Sequence, residues 1–149
     1  MKHYEIERKY LIPALPAGLE SYPYHDIEQA YLCTSPVVRI RRQDNDYFLT
    51  YKSKGLMVRE EYNLPLTEEA YLHLREKADG HRIRKRRYLI PYGPYTIELD
   101  QFFRPREGLL LAEVEFGSEE EALSFTAPDW FGEDVTSSPL YHNSNLSQV

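Results

Sequence analysis

The sequence is short of nearly everything that marks the common enzyme scaffolds. One cysteine among 149 residues excludes an internal disulfide and gives no support to an oxidising compartment. Preceded by Ala30-Tyr31-Leu32, Cys33 reads as a small buried residue. Seven glycines and ten prolines are too few for a low-complexity chain. No glycine belongs to a Gly-x-Gly-x-x-Gly or P-loop pattern, so Rossmann and Walker phosphate sites lack support. The longest aliphatic run, Leu109-Leu110-Leu111-Ala112, is far below the ~20 residues that cross a bilayer. Met1-Lys2-His3 leads into charged residues instead of a signal-peptide core, so a cytoplasmic protein without a membrane partner is expected. The five histidines (His3, His25, His73, His81, His142) show no zinc spacing; each reads as a surface or core residue. No Gly-x-Ser-x-Gly elbow occurs. Lys and Arg total 18 against 24 Asp and Glu, for a net charge of −6 and a pI near 5.4, which argues against a nucleic-acid partner.

What is present is alternation. Eight segments repeat with period 2 between turn residues: Tyr4–Ile12, Asp26–Cys33, Val37–Arg42, Tyr47–Lys52, Val58–Leu64, His81–Leu89, Tyr95–Phe103 and Leu109–Phe116. Asp44-Asn45-Asp46 and Pro91-Tyr92-Gly93-Pro94 mark hairpin turns. Thr67 caps an expected helix over Glu68–Ala78 that ends before Gly80, and Ser118 with Glu121 forms a capping box for a second. With no repeat and no Gly/Ser linker, residues 1–149 form one expected domain. The expected class is mainly β (α+β), its eight strands closed into a β-barrel that leaves no exposed edge, with two or three peripheral helices.

Charge is sorted by strand and repeats at i, i+2, the spacing that puts side chains on one face. The basic set is Lys9, Arg39, Arg41, Lys52, Arg59, Lys85 and Arg87; the acidic set is Glu5, Glu7, Glu61, Glu98, Asp100, Glu113 and Glu115. Intervening positions such as Ile6, Ile40, Leu49, Leu99 and Val114 are largely apolar. A half-exposed sheet with charges toward water accounts for the alternation but poorly for the sorting, since a solvent face normally mixes its signs. A polyanion against the basic strands and divalent cations against the acidic ones account for both. A triphosphate carries roughly −4 to −5 near neutral pH, and two Mg2+ ions, held by hard oxygen donors, bring about +4.

These residues resemble the CYTH, or triphosphate tunnel metalloenzyme, family. The signature Glu-x-Glu-x-Lys is present as Glu5-Ile6-Glu7-Arg8-Lys9. It is followed in order by Arg39-Ile40-Arg41, Tyr51-Lys52, Arg59-Glu60-Glu61, Lys85-Arg86-Arg87, Glu98-Leu99-Asp100 and Glu113-Val114-Glu115. Pro128 to Gly132 and Tyr141-x-Asn143-x-x-Leu146 match the short bacterial members. The resemblance implies an eight-stranded antiparallel barrel whose tunnel binds triphosphates with Mg2+ or Mn2+, two ions being expected. It implies metal-dependent hydrolysis of inorganic triphosphate to pyrophosphate and phosphate. An adenylate cyclase, a thiamine or nucleoside triphosphatase and a non-catalytic polyphosphate-binding module are the alternatives.

On this reading Arg39, Arg41, Lys52, Lys85 and Arg87, with Arg59, clamp phosphoryl oxygens. Glu5, Glu7, Glu113 and Glu115 hold the metals, and Glu61, Glu98 and Asp100 orient metal-bound water. Glu5, Glu7, Lys85 and Arg87 are the expected catalytic residues; Lys9 serves either as a tether for the acidic cluster or as a phosphate contact. The partner is a small-molecule triphosphate, and the chain is a monomer or homodimer. Two positions depart from the family pattern. Asn63 stands where a third carboxylate is common on the fifth strand, and Leu140 precedes Tyr141 where a basic residue is common, which argues against the tail reaching the substrate.

Overall fold

Alternation becomes a closed ladder. The computed structural model describes residues 2–55 and 57–148, apart from the side chains of residues 2 and 3, so the expectation for His3 lies outside the described side chains. The strands are β1 (Lys2–Leu11), β2 (Tyr24–Thr34), β3 (Val37–Gln43), β4 (Asp46–Lys52), β5 (Val58–Leu66), β6 (Asp79–Tyr92), β7 (Tyr95–Arg104) and β8 (Leu110–Glu115). They pair antiparallel in the order β1-β5-β4-β3-β2-β6-β7-β8 and close into a barrel. Strand β1 makes the closure: its first half, to Ile6, pairs with β5, and Glu7 to Leu11 pair with β8.

The barrel is polar inside and apolar outside because its sequence alternates ions with aliphatics. Outward residues Tyr10, Ile97, Leu99, Ala112, Val114 and Phe116 pack beneath a cover that includes Leu19, Ala122, Phe125 and Phe131. Helix α2 (Glu119–Ser124), capped by Ser118 accepting from the Glu121 N–H, belongs to that cover. Helix α1 (Glu68–Arg75), capped by Thr67 accepting from the Ala70 N–H, buries Tyr71 against Ala30 and Ile40 on the outside of β2 and β3. Each large apolar side chain so buried contributes roughly 1.5–3 kcal/mol, so the helices stabilise the barrel without entering it.

One end of the interior is also apolar. Tyr31, Ile83, Phe102 and Leu111 meet Val135 and Leu146 from the C-terminal segment. That segment contains a third short helix, α3 (Asn143–Leu146), which sequence pattern does not reveal because four residues carry no period and no side-chain cap. Its last turn docks on β6 through the His81 N–H donating to the Ser147 carbonyl. Gly80, at φ 69°, sits against the same carbonyl, and a Cβ there would collide with it.

Cys33 corrects the expectation of burial, for it is exposed. Tyr31 pairs with Arg39 on the inner face, but the register slips before Cys33, which pairs with Val38 on the outer one. One inserted residue turns the side chain around. Strand β6 also runs past Leu89 to Tyr92, carrying Pro91 opposite Thr96.

Candidate active site

The inner face of the barrel encloses a cavity of 190 Å3. Twelve of the fourteen charged residues expected at a site line it, among them Glu5, Glu7 and Lys9 from β1, Arg39 and Arg41 from β3, and Glu113 and Glu115 from β8. Lys52, Arg59, Glu61, Arg87 and Glu98 complete the set. Cross-strand pairing brings them together: Glu5 opposes Arg59, Glu61 opposes Lys52, Glu98 opposes Glu113, and Glu7 opposes Glu115.

The two exceptions are Lys85 and Asp100, which are 1% and 0% exposed and lie behind the wall. Asp100 accepts a fork from Arg87 (Nε at 2.7 Å, Nη2 at 2.9 Å) and a further bond from Lys85 Nζ at 2.7 Å. Lys85 also donates to Asn143 Oδ1 at 3.3 Å. Lys85, expected to grip phosphate, and Asp100, expected to orient metal-bound water, are thus held apart from the cavity lining. Both are sealed in a mutual ion pair, where they position Arg87.

Charges on the wall fall into three groups. In the first, Lys52 Nζ donates to both Glu5 oxygens at 2.9 and 3.0 Å and lies 3.4 Å from Glu61, while Arg59 stands 3.6 Å from Glu5. Asn63, where the family pattern has a carboxylate, donates to Glu61 at 3.1 Å and accepts from Thr50 at 2.6 Å. In the second, Arg87 reaches Glu98 at 3.5 Å and Glu113 at 3.4 Å, and Lys9 lies 3.9 Å from Glu113. The third is Arg39 and Arg41. Among the described residues neither makes an ion pair; Arg41 donates to Gln29 at 2.9 Å, and the buried Arg39 Nε has no partner.

Electrostatics follow from this division. Burial and the neighbouring Arg39 and Arg87 push Arg41 down to about 9. Burial pushes Glu5 up, but Lys52 and Arg59 outweigh it and hold the carboxyl down to about 2. Glu7 has no such rescue: burial, Glu113 and Glu5 together raise it well above the usual carboxylate range. Burial opposes the ionisation of Glu113, yet Lys9, Arg87 and a hydrogen bond from Glu7 hold it well below that range. The two neighbouring carboxyls are thus driven in opposite directions, Glu7 toward its acid form and Glu113 toward its carboxylate. Among the described residues no three potential ligands converge as a ready metal site. Glu5, Glu7 and Glu113 nevertheless feel one another's charge, and their carboxyl oxygens are of the hard donor type that fits a divalent cation.

The tail contributes what the sequence did not suggest. His142, Asn143 and Ser144 line the cavity, and the Tyr141 carbonyl accepts from Lys9 Nζ at 3.0 Å. His142 is neutral near pH 7, because burial and the nearby Lys9 and Arg59 push it down to about 4. Tyr31 also reaches the wall. The Tyr141-x-Asn143 match was the only sequence signal for the tail residues.

The CYTH domain profile matches residues 3–147. An inorganic triphosphatase of Nitrosomonas europaea is 40% identical over 96% of this chain and 96% of its own. One from Acetivibrio thermocellus is 34% identical over 95% of this chain and 92% of its own. The crystal structure of an inorganic triphosphatase superposes with a TM-score of 0.73 at 35% identity, covering 97% of this chain and 95% of that one. A Hippeastrum protein, at 17% identity and a TM-score of 0.63 over 80% of this chain and 82% of that one, shares the fold alone.

Proposed function

This chain belongs to the CYTH domain family, and from that premise we propose that it hydrolyses inorganic triphosphate to pyrophosphate and phosphate with divalent cations. The observation that carries the proposal is the pair Arg39 and Arg41, two guanidinium groups that enter the cavity without a carboxylate partner among the described residues. A buried donor left unpaired costs about 1–3 kcal/mol, and a phosphoryl oxygen removes that cost. The size of the cavity agrees. At 190 Å3 it is below the ~300–1,000 Å3 of clefts that take drug-sized ligands. Among the described residues its apolar lining is confined to Tyr31 and Val37. A bare phosphate chain suits such a wall better than one that carries an adenine or a thiamine.

In the reaction Arg39 and Arg41 bind the phosphate chain by charge-assisted forks. Arg87, held by Asp100, is fixed before the substrate arrives. Its donors therefore meet the charge that spreads over the transferred phosphoryl oxygens at no reorganisation cost. Lys52 and Arg59 hold Glu5 and Glu61 in place and screen their repulsion of the anion. Glu5, Glu7, Glu113 and Glu115 would hold Mg2+ or Mn2+, two ions being proposed, with Glu61 and Glu98 beside them. The cations would supply Lewis acidity toward phosphoryl oxygens and a lowered pKa for the attacking water.

The test is to incubate purified protein with tripolyphosphate, ATP and thiamine triphosphate in Mg2+ or Mn2+ and to identify the products. Fast conversion of tripolyphosphate to pyrophosphate and phosphate is expected, with pyrophosphate itself cut far more slowly. A cyclic nucleotide from ATP with tripolyphosphate inert would replace the proposal with a cyclase.

A further inference from the structure

The outer wall of the barrel carries a second polar cavity, of 860 Å3. One row of paired positions crosses four strands beneath it: Arg42 on β3, Glu28 on β2, Arg84 on β6 and Arg104 on β7. Neighbouring strands lie about 4.8 Å apart, so three guanidinium groups start within a line of about 15 Å. Arg84 and Arg104 are direct neighbours in it, and like charges placed opposite one another destabilise a sheet.

The carboxylates nearby relieve Arg42 in part, through the charge of Asp44, but not Arg84 and Arg104. Glu28, inside the row, accepts from Arg75 at 3.1 Å and from the Tyr71 hydroxyl at 2.8 Å, both on α1. Asp26 accepts from Arg86 at 2.9 Å, and Asp44 is bound to His25 at 2.6 Å. Among the described residues Arg84 and Arg104 make no ion pair, and Arg42 uses its Nε on the Asp44 carbonyl. All three side chains are exposed. At the rim the register slips between Arg84 and Lys85, and Phe103 is 37% exposed there.

An acidic chain of net charge −6 thus gathers three arginines without an ion pair among the described residues on an outer face whose carboxylates are already engaged. A single small anion would satisfy the Arg84–Arg104 pair and leave Arg42, two strands further on, unused. A linear anion with a charge at every unit reaches all three, and arginine forks match phosphoryl oxygens. We propose that this row binds a linear inorganic polyphosphate chain outside the tunnel. The site is independent of the chemistry within the barrel, since strand alternation points Arg84 away from the face that holds Lys85 and Arg87.

Binding of long-chain inorganic polyphosphate, measured calorimetrically in EDTA so that no metal is present, tests the proposal. Three proteins are compared: the native chain, the outer double variant Arg84→Ala/Arg104→Ala, and the tunnel double variant Arg39→Ala/Arg41→Ala. The tunnel variant is expected to bind one chain at the outer row, and the native protein a second through Arg39 and Arg41. In the outer variant the event at the row should weaken at least 10-fold, with its melting temperature unchanged and its tripolyphosphate turnover within a few-fold of native. Two undiminished binding events in the outer variant would overturn the assignment, as would loss of all binding in the tunnel variant. Orthophosphate or an RNA oligonucleotide binding as tightly as polyphosphate would overturn the ligand class. Because the readout is binding without turnover, failure here leaves the triphosphatase proposal standing, and the reverse also holds.

Discussion

Replacing Arg39 by methionine should make the protein more stable and nearly inactive. Arg39 is 6% exposed, its Nε has no hydrogen-bond partner, and among the described residues it faces no carboxylate within ion-pair distance. Burial and then its charge push Arg41 down to about 9, as two neighbouring cations repel. Methionine fills similar space without the unpaired donor, which releases about 1–3 kcal/mol. For a chain of this size each kcal/mol moves the melting temperature by about 2–4 °C, so a rise of roughly 2–12 °C is expected. Turnover should move the other way: removing one preorganised donor to a developing anion costs about 100- to 1,000-fold. The contrasting variant is Asp100→Asn, which breaks a fork to Arg87 and a bond to Lys85 in a fully buried setting. Removing one partner there costs about 3–5 kcal/mol, so the melting temperature should fall by roughly 10 °C. Thermal melts and phosphate release from tripolyphosphate measure both. An Arg39→Met protein that melts below the native one, or that turns over within a few-fold of it, would refute the claim that Arg39 is held in readiness for an anion.

Chelation should abolish turnover and Mg2+ or Mn2+ restore it, while Glu113→Gln, assayed at saturating metal, should cut turnover by ~100-fold or more; full activity in excess EDTA would remove the metal from the reaction. Strand β6 supplies its own control: Arg87→Ala should lose ~100- to 1,000-fold in turnover, whereas Arg84→Ala and Arg86→Ala, on the outer face, should stay within a few-fold. Equal losses at all three would mean a general basic patch. Glu5 is held down to about 2 in the folded chain against an ordinary 4.5, so the unfolded chain binds the extra proton between those values. Its contribution, about 3 kcal/mol, is therefore present above pH 4.5 and lost as the pH falls toward 2. Denaturant titrations from pH 6 to pH 2 should show a shallower acid limb in Glu5→Gln than in the native protein; identical limbs would mean that Glu5 is not ion-paired.

Much of this architecture is local and so was legible from the chain. Alternation at i, i+2 marked eight strands and their two faces, because pleating sends successive side chains to opposite sides. It separated Lys85 and Arg87 from Arg84 and Arg86 without any knowledge of the fold. The capping residues Thr67 and Ser118 announced α1 and α2 for the same reason: each cap is a contact between residues three apart. The motif series, from Glu5-Ile6-Glu7 to Glu113-Val114-Glu115, identified the family because its matches fall in order along the whole chain.

What is not local had to await the barrel. Sequence pattern put Lys85 and Arg87 on one face but could not say how deep each lies, and depth separates a group that meets the substrate from one buried against Asp100. A slip of register turned Cys33 outward, although strict alternation from Tyr31 points it inward. The tail residues His142, Asn143 and Ser144 lie more than 130 positions from Glu5 in the chain yet share a cavity with it, since the C-terminal segment folds against β1 and β6. Most of all, the list of fourteen charges did not reveal which would find partners. Ion pairing depends on distances of 3–4 Å between different strands, and these are set by barrel closure, so only the closed barrel left Arg39 and Arg41 unpaired and facing the space an anion would fill.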